Sequence, residues 1–305
     1  MLIMSEIFEK NNKISDVFLV IDASSFLYRA FHAMPDLRSK DGFPTGAISG
    51  IINMLLKVKQ DWPSTYSVCV FDPVGKTFRD DIYKDYKANR SSMPEDLSKQ
   101  VPVIFELIKH IGWPSLTVPG YEADDVIGTL VKKAENLNLK SVIISGDKDL
   151  AQLVNKNVTL VDTMTRAGAE SLILDEKGVK KKFGVYPEKI IDYLTLVGDT
   201  SDNIPGVEKI GPKTAINLLS EFDSLENLIK NALLVKGVVG KNLRESLNWL
   251  PTGKSLVTIK TSLNLEKQFG DFKNSFAWQI SNKKKLSELK EKFDLNKVLK
   301  TFLDN

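Results

Sequence analysis

Val17-Phe18-Leu19-Val20-Ile21-Asp22 decides the reading of this chain. It is a continuous apolar run of strand length, closed by an acid. An antiparallel strand with one wet face would alternate; an unbroken run points to a strand buried on both faces of a parallel sheet. Val68-Cys69-Val70-Phe71 repeats the pattern and ends at Asp72. Ser141-Val142-Ile143-Ile144 repeats it again before Gly146-Asp147-Lys148-Asp149, and Val158-Thr159-Leu160-Val161 reads as a fourth strand. Helical periodicity fills the intervals over 46–60, 95–111 and 123–137. Strands alternating with helices predict an α/β domain with a mostly parallel central sheet. Beyond residue 170 the strand signal fades, and 175–183, 187–197, 212–220, 224–231, 239–249 and the Lys-rich 283–304 read as helices. The expected organisation is a flexible N-terminal extension (1–15), an α/β core (16–170) and a C-terminal helical subdomain (171–305).

Composition narrows the function. At 305 residues and 42% hydrophobic content the chain can bury a core without staples. The single cysteine, Cys69, excludes a disulfide framework and a thiolate zinc site. With His32 and His110 as the only histidines, a histidine-built metal centre lacks ligands. A net charge of +3 neither demands nor excludes nucleic acid. No apolar run is long enough to span a membrane. Met1-Leu2-Ile3-Met4 stops at Ser5-Glu6, too short for a secretory signal, so a cytoplasmic chain is expected. No Walker A pattern and no Ser-His-Asp or Cys-His set is present.

The acids carry the chemistry. In open α/β sheets, ligands bind beyond the carboxyl ends of the strands. Asp22, Asp72, Asp147 and Asp149 stand there. Glu122, Asp124 and Asp125 open the helix at 123, and Asp199 and Asp202 follow the helix 187–197. One acid at a strand end is more often a turn residue, and acids at a helix start are ordinary capping groups. Nine carboxylates on one rim are another matter, because like charges that close oppose folding unless cations neutralise them. Mg²⁺ or Mn²⁺ suits oxygen ligands, and two such ions about 4 Å apart can stabilise the attacking and leaving oxygens at phosphorus. The acids therefore point to metal-dependent phosphodiester hydrolysis.

Two further segments fit that chemistry. Segment 76–95 interleaves cations with Phe78, Tyr83 and Tyr86. Arg79, Tyr83, Tyr86, Lys87 and Arg90 fall at helical spacing, a face suited to a phosphate backbone and stacked bases, with Lys84 beside it. In isolation such a run is more often a solvated amphipathic helix; its place directly after Asp72 favours the functional reading. In 206–215, Gly206, Lys209, Gly211, Lys213 and Thr214 build a glycine turn with Pro212 at the first helical position, leaving free N–H groups for phosphate. The pattern resembles the helix–hairpin–helix motif of sequence-tolerant DNA binders.

Taken in order, Asp22-Ala23-Ser24-Ser25-Phe26-Leu27-Tyr28-Arg29-Ala30, Phe71-Asp72, Tyr86-Lys87-Ala88-Asn89-Arg90, Gly120-Tyr121-Glu122-Ala123-Asp124-Asp125, Gly146-Asp147-Lys148-Asp149 and Gly198-Asp199-Thr200-Ser201-Asp202-Asn203-Ile204-Pro205-Gly206-Val207 resemble the 5′-nuclease (flap endonuclease) family. The nearest likeness is to the N-terminal 5′→3′ exonuclease domain of bacterial DNA polymerase I, over about residues 16–303. The resemblance implies a PIN/5′-nuclease-like fold. In it Asp22, Asp72, Glu122, Asp124 and Asp125 serve a first metal or its water, and Asp147, Asp149, Asp199 and Asp202 a second region. It implies that 76–95 forms a helical arch, with Lys87 and Arg90 reaching the scissile phosphate and Tyr86 stacking nearby. The 206–211 turn would bind duplex DNA and hold K⁺. Ala23 replaces a frequent glycine, a change expected to be harmless. No proofreading or polymerase domain follows, so the chain reads as an independent nuclease or a cut-down one, with Met1 and the tail favouring the first.

The expected activity is metal-dependent 5′→3′ exonuclease and flap endonuclease cleavage of 5′ flaps, nicked duplex and RNA–DNA primer junctions. A monomer working beside a separate DNA polymerase is expected. A non-catalytic DNA-binding module needs the basic segment and the hairpin but not the acids. A small PIN-type RNA nuclease shares the acid rim but lacks both segments.

Overall fold

The computed structural model describes residues 16–163 and 171–304. The expected extension 1–15 lies outside the described residues. A six-stranded sheet organises the chain in the order β3-β2-β1-β4-β5-β6. Its strands are β1 (Val17–Asp22), β2 (Tyr66–Phe71), β3 (Ser115–Thr117), β4 (Lys140–Ile144), β5 (Val158–Asp162) and β6 (Leu172–Leu174). All pairings are parallel except that of β6, which runs antiparallel to β5 at the edge. The edge strands β3 and β6 escape the sequence pattern because each is only three residues long; β3 is Ser-Leu-Thr, and β6, although apolar as Leu-Ile-Leu, is too short for a run of strand length.

The unbroken apolar run of β1 has a direct cause. Phe18 and Val20 enter one core, and Val17, Leu19 and Ile21 enter the other, on the opposite face. One face is covered by α1 (Ala23–Ala33), α2 (Gly46–Asp61) and, after the five-residue α3 (Phe78–Ile82), α4 (Glu95–His110). The other is covered by α5 (Ala123–Asn136), whose Val126, Ile127 and Leu130 are fully buried.

The C-terminal part is helical as expected. It runs through α6 (Glu176–Phe183), α7 (Ile190–Val197), α8 (Pro212–Phe222), α9 (Leu225–Lys230), α10 (Gly237–Glu245) and α11 (Leu250–Val257). A two-stranded hairpin, β7 (Gly198–Asp199) with β8 (Ile204–Pro205), separates α7 from the glycine turn. The helix expected over 239–249 ends at Glu245, and α11 is additional. The tail expected as one helix is two, Lys283–Phe293 and Lys300–Asp304, because Asp294 takes a left-handed φ of 55° and closes the first. Its Leu286, Leu289 and Phe293 stripe returns to the core beneath α2 and α4. Among the described residues no helix is long and apolar enough to cross a membrane.

Candidate active site

The chain moves from β1 outward to β2 and β3, then returns to place β4 on the other side of β1. The carboxyl ends of β1 and β4 therefore flank the switch point where such sheets bind ligands. Asp22 ends β1 and caps α1, accepting the Ser25 N–H at 3.1 Å. Its other oxygen accepts the Ser145 hydroxyl at 2.7 Å, across the strand gap. The same Ser145 Oγ accepts the Asp147 N–H at 3.0 Å, and Asp147 accepts the Asp149 N–H at 2.9 Å. The N–H of Asp72, beyond β2, donates to Ser24 Oγ at 2.8 Å. The Asp72 carboxylate accepts the Ala123 N–H at 2.8 Å and draws in the start of α5. Ser24 and Ser145 thus fix the acids' positions. Sequence reasoning assigned neither a role; the only signal was a small hydroxyl residue beside each strand-end acid.

Burial, reinforced by Asp72 and Asp147, pushes the Asp22 carboxyl up to about 6, although Ser145 and Ser25 pull the other way. Burial, then Asp147, Asp22 and Asp72, raises Asp124 well above the carboxylate range. Asp149 is raised by burial and by Asp147 and Asp199, and its buried Oδ1 has no hydrogen-bond partner among the described residues. Such groups are costly unless a cation answers them, and an all-oxygen donor set suits a hard divalent ion. Among the described residues no three acids are gathered tightly enough to enclose an ion unaided.

Asp199 sits in β7 and Asp202 in the turn after it. Burial pushes Asp199 up, but the Ser201 hydroxyl and Lys148, 3.0 Å away, bring it below its ordinary value. Asp202 and Glu122 meet segment 83–90. The Tyr86 hydroxyl reaches both carboxylates at 3.0 Å, Lys87 Nζ lies 2.7 Å from Glu122 and 3.6 Å from Asp202, and Arg90 pairs with Asp202. The Lys87 N–H also donates to the Asp202 carbonyl at 2.9 Å, with Lys87 at a φ of 53°. Burial opposes the Lys87 charge, but Glu122 and Asp202 outweigh it and raise its pKa. Tyr86 is raised by burial and by the same two acids. A cavity of about 520 Å³ opens beside them, bordered by Asp72, Lys87, Arg90 and Glu122 and floored by Leu27, Phe71 and Phe105.

Two expectations need correction. Arg79 and Asp125 are buried behind the rim: Arg79 is 3% and Asp125 0% exposed, they form a two-pronged pair at 2.6 and 3.0 Å, and Arg79 also lies 3.5 Å from the Glu122 carboxylate. Asp125 also accepts the Lys260 N–H at 2.9 Å. That pairing commits the Asp125 carboxylate to Arg79, and the buried Arg79 guanidinium is not on the surface where DNA would lie. Nor is 76–95 one helix. A capping box of Thr77 with Asp80 starts α3, which stops at Ile82, and turns carry the chain through 84–89. Arg79, Tyr83, Tyr86, Lys87 and Arg90 therefore do not share a helix face.

The remaining candidates are more open. Tyr83 is half-buried with its ring against Trp249, and Lys84 is exposed. In the glycine turn Lys209, Gly211 and Lys213 are exposed, with Gly206 and Thr214 half-buried. Gly211 caps α8, and Pro212 stands at its first turn as expected.

This geometry defines a nuclease-type α/β fold with an acid rim and a basic segment folded over it. Residues 17–184 match the 5'-3' exonuclease, N-terminal resolvase-like domain, and residues 185–281 the 5'-3' exonuclease, C-terminal SAM fold. The chain belongs to the 5'-3' exonuclease family. It is 43% identical over 284 residues to a 5'-3' exonuclease of Aquifex aeolicus, covering 93% of this chain and 95% of that protein. It is 45% identical over 258 residues to DNA polymerase I of Pseudomonas aeruginosa, covering 81% of this chain but 28% of the polymerase. A structure of the bacteriophage T5 flap endonuclease in a pseudo-enzyme-product complex with DNA and metal ions is similar at a TM-score of 0.68 and 25% identity. The match covers 80% of this chain and 90% of that one.

Proposed function

We propose that the chain hydrolyses phosphodiesters of 5′-flapped, nicked or primer-ended DNA at the rim between β1 and β4. The observation that carries this is the group Asp22, Asp124 and Asp149, raised by burial and mutual repulsion, with Asp149 Oδ1 left unpartnered. Asp22, Asp72, Glu122 and Asp124 would serve one divalent cation, and Asp147, Asp149, Asp199 and Asp202 a second. Mg²⁺ or Mn²⁺ there would supply charge neutralisation and activation of water. Lys87 and Arg90 would leave Glu122 and Asp202 to meet the phosphate, offsetting the charge that builds at phosphorus. Tyr86 is 6% exposed with its hydroxyl on Glu122 and Asp202, so it would have to leave them together with Lys87 and Arg90 to lie against the base beside the cut. The turn 206–215 would hold duplex through backbone N–H groups, Lys209, Lys213 and Thr214, and would take K⁺ on its carbonyls. Lys84 would face the phosphate backbone. One copy of the chain supplies every group, and a separate polymerase would fill the gaps it leaves.

The binding of DNA and metal ions by the T5 enzyme in its complex supports this reading. The test offers a 5′-labelled flap duplex and a single-stranded RNA with Mg²⁺, then with EDTA. Cleavage near the flap junction that EDTA stops supports the proposal. Preferential cleavage of the RNA would sink it.

A further inference from the structure

Trp249 is not one of the rim residues, yet it joins the two segments assigned to DNA. It is the residue before α11. Its indole N–H donates to the Pro205 carbonyl at 2.7 Å, and Pro205 is the β8 residue directly before the glycine turn. Its ring meets Tyr83 in a T-shaped contact, with centroids 5.0 Å apart and planes at 65°. Gly253 leaves the indole its space, since a Cβ there would lie 3.2 Å from the indole nitrogen. Tyr83 is the residue that ends α3, and its carbonyl accepts the Tyr86 N–H at 3.1 Å. Tyr86 in turn binds Glu122 and Asp202. At the far end of α11, the Leu256 and Thr258 carbonyls accept Arg79 at 2.8 and 3.1 Å. Both ends of this one helix thus grip the root of segment 83–90, and its first end also holds the glycine turn.

We propose that Trp249 is a positioning residue that couples duplex binding at the 206–215 turn to the placement of segment 83–90 over the acids. This rests on the assignment of both segments to DNA made above. The contacts form one contiguous chain, Pro205 to Trp249 to Tyr83 to Tyr86, ending at the carboxylates the segment covers. Packing alone requires the ring and not its N–H, whereas the link to Pro205 requires the N–H. Trp249→Phe separates the two roles, because it keeps an aromatic ring against Tyr83 and removes the donor.

The experiment uses the whole protein and a nicked duplex without a flap. Duplex affinity is measured by titration, and the position of the segment by the hydrogen-exchange rate of the Tyr86 N–H, which the Tyr83 carbonyl holds. In the wild type, bound duplex changes that rate. In Trp249→Phe the affinity stays within about twofold and the change disappears. Flap cleavage then loses on the order of tenfold in kcat with KM unmoved, as expected when a positioning contact is lost. Tyr83→Leu, which cuts the same chain one contact later, uncouples the two in the same way. A Trp249→Phe protein that answers duplex and cleaves like the wild type would overturn the proposal. A wild type that does not bind duplex at all would instead overturn the DNA assignment on which it rests.

Discussion

Arg79 and Asp125 show how far residue type alone can mislead. Both stand where the motifs place them, one in a basic segment and one in an acid quartet, yet they pair in the interior. The pattern Glu122-Ala123-Asp124-Asp125 points consecutive side chains in different directions around a helix start, so Glu122 and Asp124 turn to the rim and Asp125 turns inward. No sequence signal distinguished them, because the partner, Arg79, lies 46 positions away. Breaking a buried pair leaves an unanswered charge and costs about 3–5 kcal/mol. Asp125→Ala should therefore lower the urea midpoint sharply, and Arg79→Met with Asp125→Leu should recover much of the loss. An Asp125→Ala protein with wild-type stability and no nuclease activity would return Asp125 to the metal site.

At the level of elements, the sheet was legible and the segment over it was not. The runs at 17–22, 68–71, 141–144 and 158–161 specify central strands through burial on both faces, and each was found. Segment 76–95 is governed by tertiary contacts that periodicity does not encode. Tyr86, Lys87, Asn89 and Arg90 bond to residues between Glu122 and Asp202, and these contacts override the helical spacing. The glycine turn was legible because it depends on local geometry. A Cβ on Gly206 would come within 2.3 Å of the Val197 backbone, where Gly198 also takes a φ of 78°. Gly206→Ala should cost more than about 2 kcal/mol and separate β8 from α7, seen as a lower melting temperature together with weaker duplex binding. A fully stable Gly206→Ala protein would show that the turn yields more easily than this close approach implies.

For the molecule as a whole, the rim is a store of repulsion that a bound cation would release. Asp22 rises from 3.8 to about 6, so the folded chain holds this proton more tightly than the unfolded chain. Without metal, the stability from this group is present below about pH 4 and is lost as pH rises toward 6. The loss amounts to about 3 kcal/mol, the free energy of a shift of that size. Cation binding requires the ionised acids, so Mg²⁺ should raise the melting temperature more at pH 7.5 than at pH 5. EDTA should abolish the difference, and Asp22→Asn should shrink it. Equal stabilisation by Mg²⁺ at both pH values would mean that the ion binds away from these acids.

The central claim is that the rim acids perform chemistry and do not merely hold the fold or the DNA. Comparing Asp147→Ala with the wild type on one flap duplex tests it most directly, with single-turnover cleavage and duplex affinity measured on the same protein. Asp147 is exposed and, among the described residues, its carboxylate receives only the Asp149 N–H, so its loss should leave folding and DNA contacts largely intact. The account predicts a fall in cleavage rate on the order of a hundredfold or more, with affinity within about threefold. An equal loss of cleavage and affinity would contradict it and make Asp147 a structural or DNA-holding residue.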